Sequence, residues 1–107
     1  MAVSVWVENY LGERIEYWGG WEINDLLRAA HRQPDTFVLL CGVDPYDITV
    51  FNSFQCRRLD WELQEIGRHT EDETLRATAA RIRQLCDLLR RDLPSGPMGH
   101  HVRFIGD

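Results

Sequence analysis

Two groups of side chains in this sequence have the types and spacing to do chemistry. The first is Asp44-Pro45-Tyr46-Asp47, in which two carboxylates flank a tyrosine. Joined by Asp107, and by Glu8 or Glu16, they would form a carboxylate site able to hold a cation or to act as an acid/base pair. The same four residues also spell a turn, because an Asp at the first position bonds forward to the backbone and Pro presets φ at the second. The second group is aromatic. Trp6, Trp18 and Trp21 are interleaved with Glu8 and Glu16, and exposed tryptophan beside carboxylates is the composition of a protein-binding hot spot.

Other combinations are weaker. Cys56 and His69 could pair as thiolate and base, but Cys56 falls in the apolar stripe of a helix and His69 in a loop. His100 and His101 are neighbours on an expected strand, so they point to opposite faces and do not share a metal ion easily. Arg57-Arg58 and Arg90-Arg91 fall on solvent-facing helix positions, and the second pair suits a helix C-terminus. The sequence contains no C-x-x-C, H-E-x-x-H, G-x-S-x-G or glycine-rich phosphate loop, so neither a catalytic residue, a cofactor nor a metal centre is assigned.

The elements that must position these groups follow from periodicity. Val3, Val5 and Val7 alternate with Ser4, Trp6 and Glu8 as a strand does, and Arg14 to Trp18 returns as a second strand through a turn at Leu11-Gly12-Glu13. If helices cover the valine face, Trp6 and Trp18 lie together on the open face; a slip of one residue would invert that placement. Ile23, Leu26, Leu27 and Ala30 form one helical face, closed by Pro34. Phe37 to Val43 is a short apolar run before a turn and reads as a central strand buried on both faces. Ile48 to Phe51 is a strand in β-branched and aromatic residues. Asn52 or Ser53 then caps a helix; with Asn52 as cap, Gln55 can complete a capping box, and Gly67 is placed to end the helix. The stripe Cys56, Leu59, Leu63, Ile66 faces the sheet.

Thr70 to Glu73 reads as a second capping box, opening a long helix with the stripe Leu75, Ala79, Ile82, Cys86, Leu89, Leu93 before Pro94. His100 to Ile105 is the last strand, with Val102 and Phe104 on one face. The expected order is ββαββααβ: a single α+β domain over residues 1–107, mainly antiparallel, with helices largely on one face of the sheet.

Bulk properties narrow the class. A chain of 107 residues with 44% hydrophobic and 27% charged residues suits one soluble globular core. The net charge of −5 disfavours nucleic acid and anionic membranes and favours a basic protein partner. All 12 cationic residues other than histidine are arginine, which fits a GC-rich genome. Cys41, Cys56 and Cys86 are odd in number and lie in apolar stretches, as reduced core thiols do. No export signal or apolar membrane span is read, so a cytoplasmic location is expected.

Asp44 to Gln55, D-P-Y-D-I-T-V-F-N-S-F-Q, and the ending V-R-F-I-G-D at Val102 to Asp107 resemble small hypothetical proteins of actinobacteria, whose middle segment reads D-P-Y-G-D-T-x-F-N-x-x-Q. This chain departs in lacking Gly after Tyr46 and in having Ile48 where Thr is usual. The resemblance implies a bacterial origin and a shared fold with the turn beside the C-terminal strand, and it brings no activity.

Two functional expectations result. One is a binding module, of the immunity or antitoxin kind, that meets a basic partner through Trp6, Glu8, Glu16, Trp18 and Trp21. The alternative is a small enzyme or ligand binder with its site at Asp44, Tyr46, Asp47 and Asp107. Homodimerisation through the tryptophan face or the long helix is compatible with either.

Overall fold

The computed structural model of the chain describes residues 2–8, 13–91 and 101–106, side chains excepted at positions 15–17, 90 and 91. Four strands form one antiparallel sheet, β1 Val3–Glu8, β2 Arg14–Gly20, β3 Ile48–Asn52 and β4 His101–Gly106. Their order in space is β2-β1-β4-β3. The described residues also form four helices, α1 Trp21–Ala30, α2 Val38–Cys41, α3 Ser53–Arg68 and α4 Glu73–Arg91. The fold is thus α+β with an antiparallel sheet, as its alternation and helical stripes predict.

One face of the sheet makes the core. Val3, Val5 and Val7 of β1, Val102 and Phe104 of β4 and Phe51 of β3 join the apolar stripes of the helices in a single buried cluster. The Phe51 and Phe104 rings meet edge to face, with centroids 5.8 Å apart. Every expected stripe residue of α1 and α3 is buried, and so are Ala79, Ile82, Cys86 and Leu89 of α4. Leu93 lies outside the described residues. The cysteines form no disulfide. Burial raises the Cys41 thiol above its ordinary pKa, and nearby Glu62 adds to that rise.

The capping box of α3 is complete, with Gln55 N–H donating to Asn52 Oδ1 and Asn52 N–H to Gln55 Oε1, both at 2.9 Å. The start of α4 differs from expectation. Asp72, not Thr70, accepts the first-turn amides, from Thr74 at 2.9 Å and Leu75 at 3.3 Å, while the Thr70 hydroxyl takes the Asp72 amide. A carboxylate suits the positive end of a helix better than a hydroxyl does, and so the helix starts later. Gly67 does not end α3, which runs on to Arg68.

The larger correction concerns Phe37 to Val43, which is not a strand. Its centre, Val38–Cys41, is the one-turn helix α2, and the order becomes ββααβααβ. The cause is a side chain distant in sequence. Glu62 of α3, fully buried, accepts the Leu39 and Leu40 amides, each at 3.1 Å. It thereby satisfies the free amides at the start of α2, as an internal cap does. Arg58 holds the same carboxylate at 2.9 Å, reaches the Thr36 carbonyl at 2.8 Å, and lies 4.5 Å over the Trp61 ring.

The outer edge of β3 is blunted. Gly106 N–H donates to the Asp47 carbonyl at 2.9 Å, which fixes the ladder parity so that Ile48, Val50 and Asn52 turn their backbone groups away from β4. The Ile48 amide is taken by its neighbour Asp47 Oδ1 at 2.8 Å and the Asn52 amide by Gln55. Among the described residues Val50 alone keeps an outward amide on this edge, a short target for strand addition.

Candidate functional site

The first hairpin does not place its tryptophans together. At the end of β1 Glu8 pairs with Arg14, but further back Val7 pairs with Glu16, Trp6 with Tyr17 and Val5 with Trp18. One extra residue in β2, Ile15, makes the bulge that shifts the register by one. Trp18 therefore shares the face of Val5 and packs against the core. The expected common face of Trp6 and Trp18 is corrected accordingly. Glu16 pairs with Val7 in the ladder, and its side chain lies outside the described residues.

Trp6 is on the face that bears no helix among the described residues, yet it is only 9% exposed, and Glu8 is 6% exposed. They cover each other. Trp6 Nε1–H donates to Glu8 Oε1 at 2.6 Å, His101 Nε2 lies 2.9 Å from Glu8 Oε2, and Arg103 Nη2 is 3.3 Å from the same oxygen. The Arg14 guanidinium lies 4.2 Å over the Trp6 ring. Burial alone would raise the Glu8 pKa; hydrogen bonds from Trp6 and His101, with the charges of Arg103 and His101, outweigh it and hold the carboxyl below its ordinary value. The Glu8 charge is answered within this cluster, by Arg103 and His101. Its tryptophan and carboxylate serve the sheet, and they do not make an exposed acidic patch.

Trp21 has a different setting. It opens α1 and is 58% exposed, while Tyr46 on the turn before β3 is 71% exposed. Both line one cleft of about 220 Å³, with Leu27 and Val43 beneath and Arg28 and His31 beside them. One aromatic belongs to the expected partner surface and the other to the expected ligand site; the fold brings them to the same place. The two segments also carry Glu22, Asp25, Asp44 and Asp47, against Arg28, which Asp25 holds at 3.3 Å.

The turn is built as its residues predict, except that it joins α2 to β3. Tyr46 N–H donates to Asp44 Oδ1 at 2.8 Å, and Asp47 N–H to the Asp44 carbonyl at 3.4 Å. The expected neighbourhood of this turn and the C-terminal strand is present. Gly106 lies so close to the Pro45 carbonyl and the Tyr46 amide that a Cβ there would collide with backbone. Asp107 lies outside the described residues. Asp44 and Asp47 each accept a backbone amide, and neither lines the cleft beside them.

Cys56 and His69 are not brought together as a pair. Cys56 is buried against the Phe51 carbonyl and His69 sits 3.2 Å from Glu65 at the other end of α3. His100 lies outside the described residues. Among the described residues no group of three or more His, Cys, Asp or Glu could hold a metal ion, and no helix is long and apolar enough to cross a membrane.

Several participants were invisible from spacing. His101 and Arg103 meet Glu8 only because β4 pairs with β1, with Glu8 opposite His101. Glu62 could have been noticed, since it stands three residues after Leu59 and four before Ile66, on the apolar stripe of α3. Comparison with known proteins finds no matching family model, no similar curated protein and no similar solved structure.

Proposed function

We propose that this chain is a protein-binding module, of the kind that neutralises or docks on a basic partner, and that its recognition surface is the cleft between Trp21 and Tyr46. The observation that carries this reading is the exposure of both aromatics on either side of one apolar-floored cleft. Large rings held in water at a concave site lose little conformational freedom on binding and release much surface, which is how interface hot spots work. The carboxylates on the same two segments, together with a net charge of −5, supply complementarity to a partner segment bearing Arg or Lys. Such a cation can also stack on the rings.

The test is affinity purification of the tagged protein from its source cells, run in parallel with Trp21→Ala/Tyr46→Ala. Both side chains are exposed, so the variant should keep the wild-type melting temperature. A stoichiometric basic protein retained by wild type, and bound at least about 30-fold more weakly by the variant as expected for a hot-spot residue, supports the reading. Unchanged affinity in the double variant refutes it.

A further inference from the structure

A second cleft of about 360 Å³ lies where the ends of α1 and α3 meet the start of α4, a volume in the range of small-molecule sites. It shares no lining residue with the Trp21–Tyr46 cleft. Its floor is apolar, from Phe37 and Ile66, both buried, and Leu75. Arg32 and His69 stand among the polar residues of its lining.

Charge at this cleft is unevenly matched. Glu65 is engaged by Arg68 at 3.1 Å and by His69 at 3.2 Å, so its carboxylate is already answered. Arg32 is exposed and makes no ion pair or side-chain hydrogen bond among the described residues. The cleft thus combines an apolar floor with one uncommitted guanidinium. A guanidinium fork matches the two oxygens of a carboxylate, whereas a dianionic phosphate ester would call for more positive charge than a single arginine supplies.

We propose that this cleft binds a small amphipathic carboxylate, its apolar body on Phe37, Ile66 and Leu75 and its carboxylate on Arg32. The site is independent of the protein-docking surface, although α1 contributes to both.

The experiment is a titration of isotopically labelled protein followed by NMR, with naphthoate as probe and the neutral naphthylmethanol as its control. Naphthoate should shift the resonances of Phe37, Ile66 and Leu75 and bind on the order of tenfold tighter than the alcohol, as a charged hydrogen-bonded pair allows. Arg32→Gln should remove that advantage while leaving the alcohol unchanged; the side chain is exposed, so the fold is not at stake. Trp21→Ala/Tyr46→Ala should leave naphthoate binding as it was, which separates this site from the docking cleft. Equal affinity for the two probes, an unchanged naphthoate affinity in Arg32→Gln, or no shifts at the floor residues would each overturn the proposal.

Discussion

Gly106 N–H donates to the Asp47 carbonyl at 2.9 Å, and the glycine sits against the Pro45–Tyr46 peptide with no room for a side chain. This contact fastens the end of β4 to the turn that presents Tyr46. A methyl group there must push the turn away, because the colliding atoms are backbone and do not rotate aside. Gly106→Ala should destabilise the fold by about 1–3 kcal/mol, the usual cost of overpacking. A lowered urea midpoint at unchanged slope would show it, and an unchanged midpoint would contradict this account of the contact.

Glu62 serves α2 and α3 at once. Glu62→Leu preserves apolar packing but strands the Leu39 and Leu40 amides, at a cost of about 1–3 kcal/mol for the unsatisfied groups. Arg58→Ala should cost less, since Arg58 is half exposed and its loss leaves the two amides bonded. Chemical denaturation of both variants checks the ranking, and the reverse order would mean that leaving the buried Glu62 carboxylate without its counter-charge costs more than leaving the two amides bare.

Asn52→Ala removes the side chain that receives the Gln55 amide and ends the reciprocal cap of α3. The expected loss is about 1 kcal/mol. Thr70→Ala should cost less than Asp72→Ala in the same assay, because Asp72 holds the first turn of α4.

The depressed pKa of Glu8 gives a pH dependence of definite sign. Its folded value lies below the ordinary 4.5, so its charge-dependent stabilisation is complete above that pH and is lost as pH falls through the folded value. The stability gap between wild type and Glu8→Gln should therefore narrow as pH falls below about 4.5. Paired urea titrations across that range measure it. A gap that widens on acidification would reverse the assignment.

Asp47 also guards the β3 edge. Asp47→Ala frees the outward Ile48 amide beside that of Val50 and lengthens the stretch open to strand addition. Light scattering at high protein concentration should reveal greater self-association than in Ile48→Ala, which keeps the guard in place.

Much of this architecture was legible because local signals agreed with tertiary demand. The α1 and α3 stripes, the Asn52–Gln55 cap and the alternation of Val102 and Phe104 each met a partner that their own periodicity anticipated. Phe37 to Val43 failed for the opposite reason. An apolar run of that length fits a strand or a buried helical turn equally, and the deciding group, Glu62, lies on another element. The tryptophan faces failed through the bulge at Ile15. The pairing of Glu8 with Arg14 has the parity that would place Trp6 and Trp18 together, and one inserted residue undoes it. The Trp21–Tyr46 cleft needed the docking of α1 against the turn, which no spacing encodes.

The two inner strands of the sheet come from opposite ends of the described chain, with Val3 paired to Gly106. In an antiparallel pair, tension applied through the segments before Val3 and after Gly106 falls on a single rung. The ladder would then part rung by rung, like a zipper, instead of resisting in shear along its whole length. Pulled by those flanks the domain would be mechanically soft, and a protease or translocase that draws it in from either flank would meet the sheet at its weakest direction.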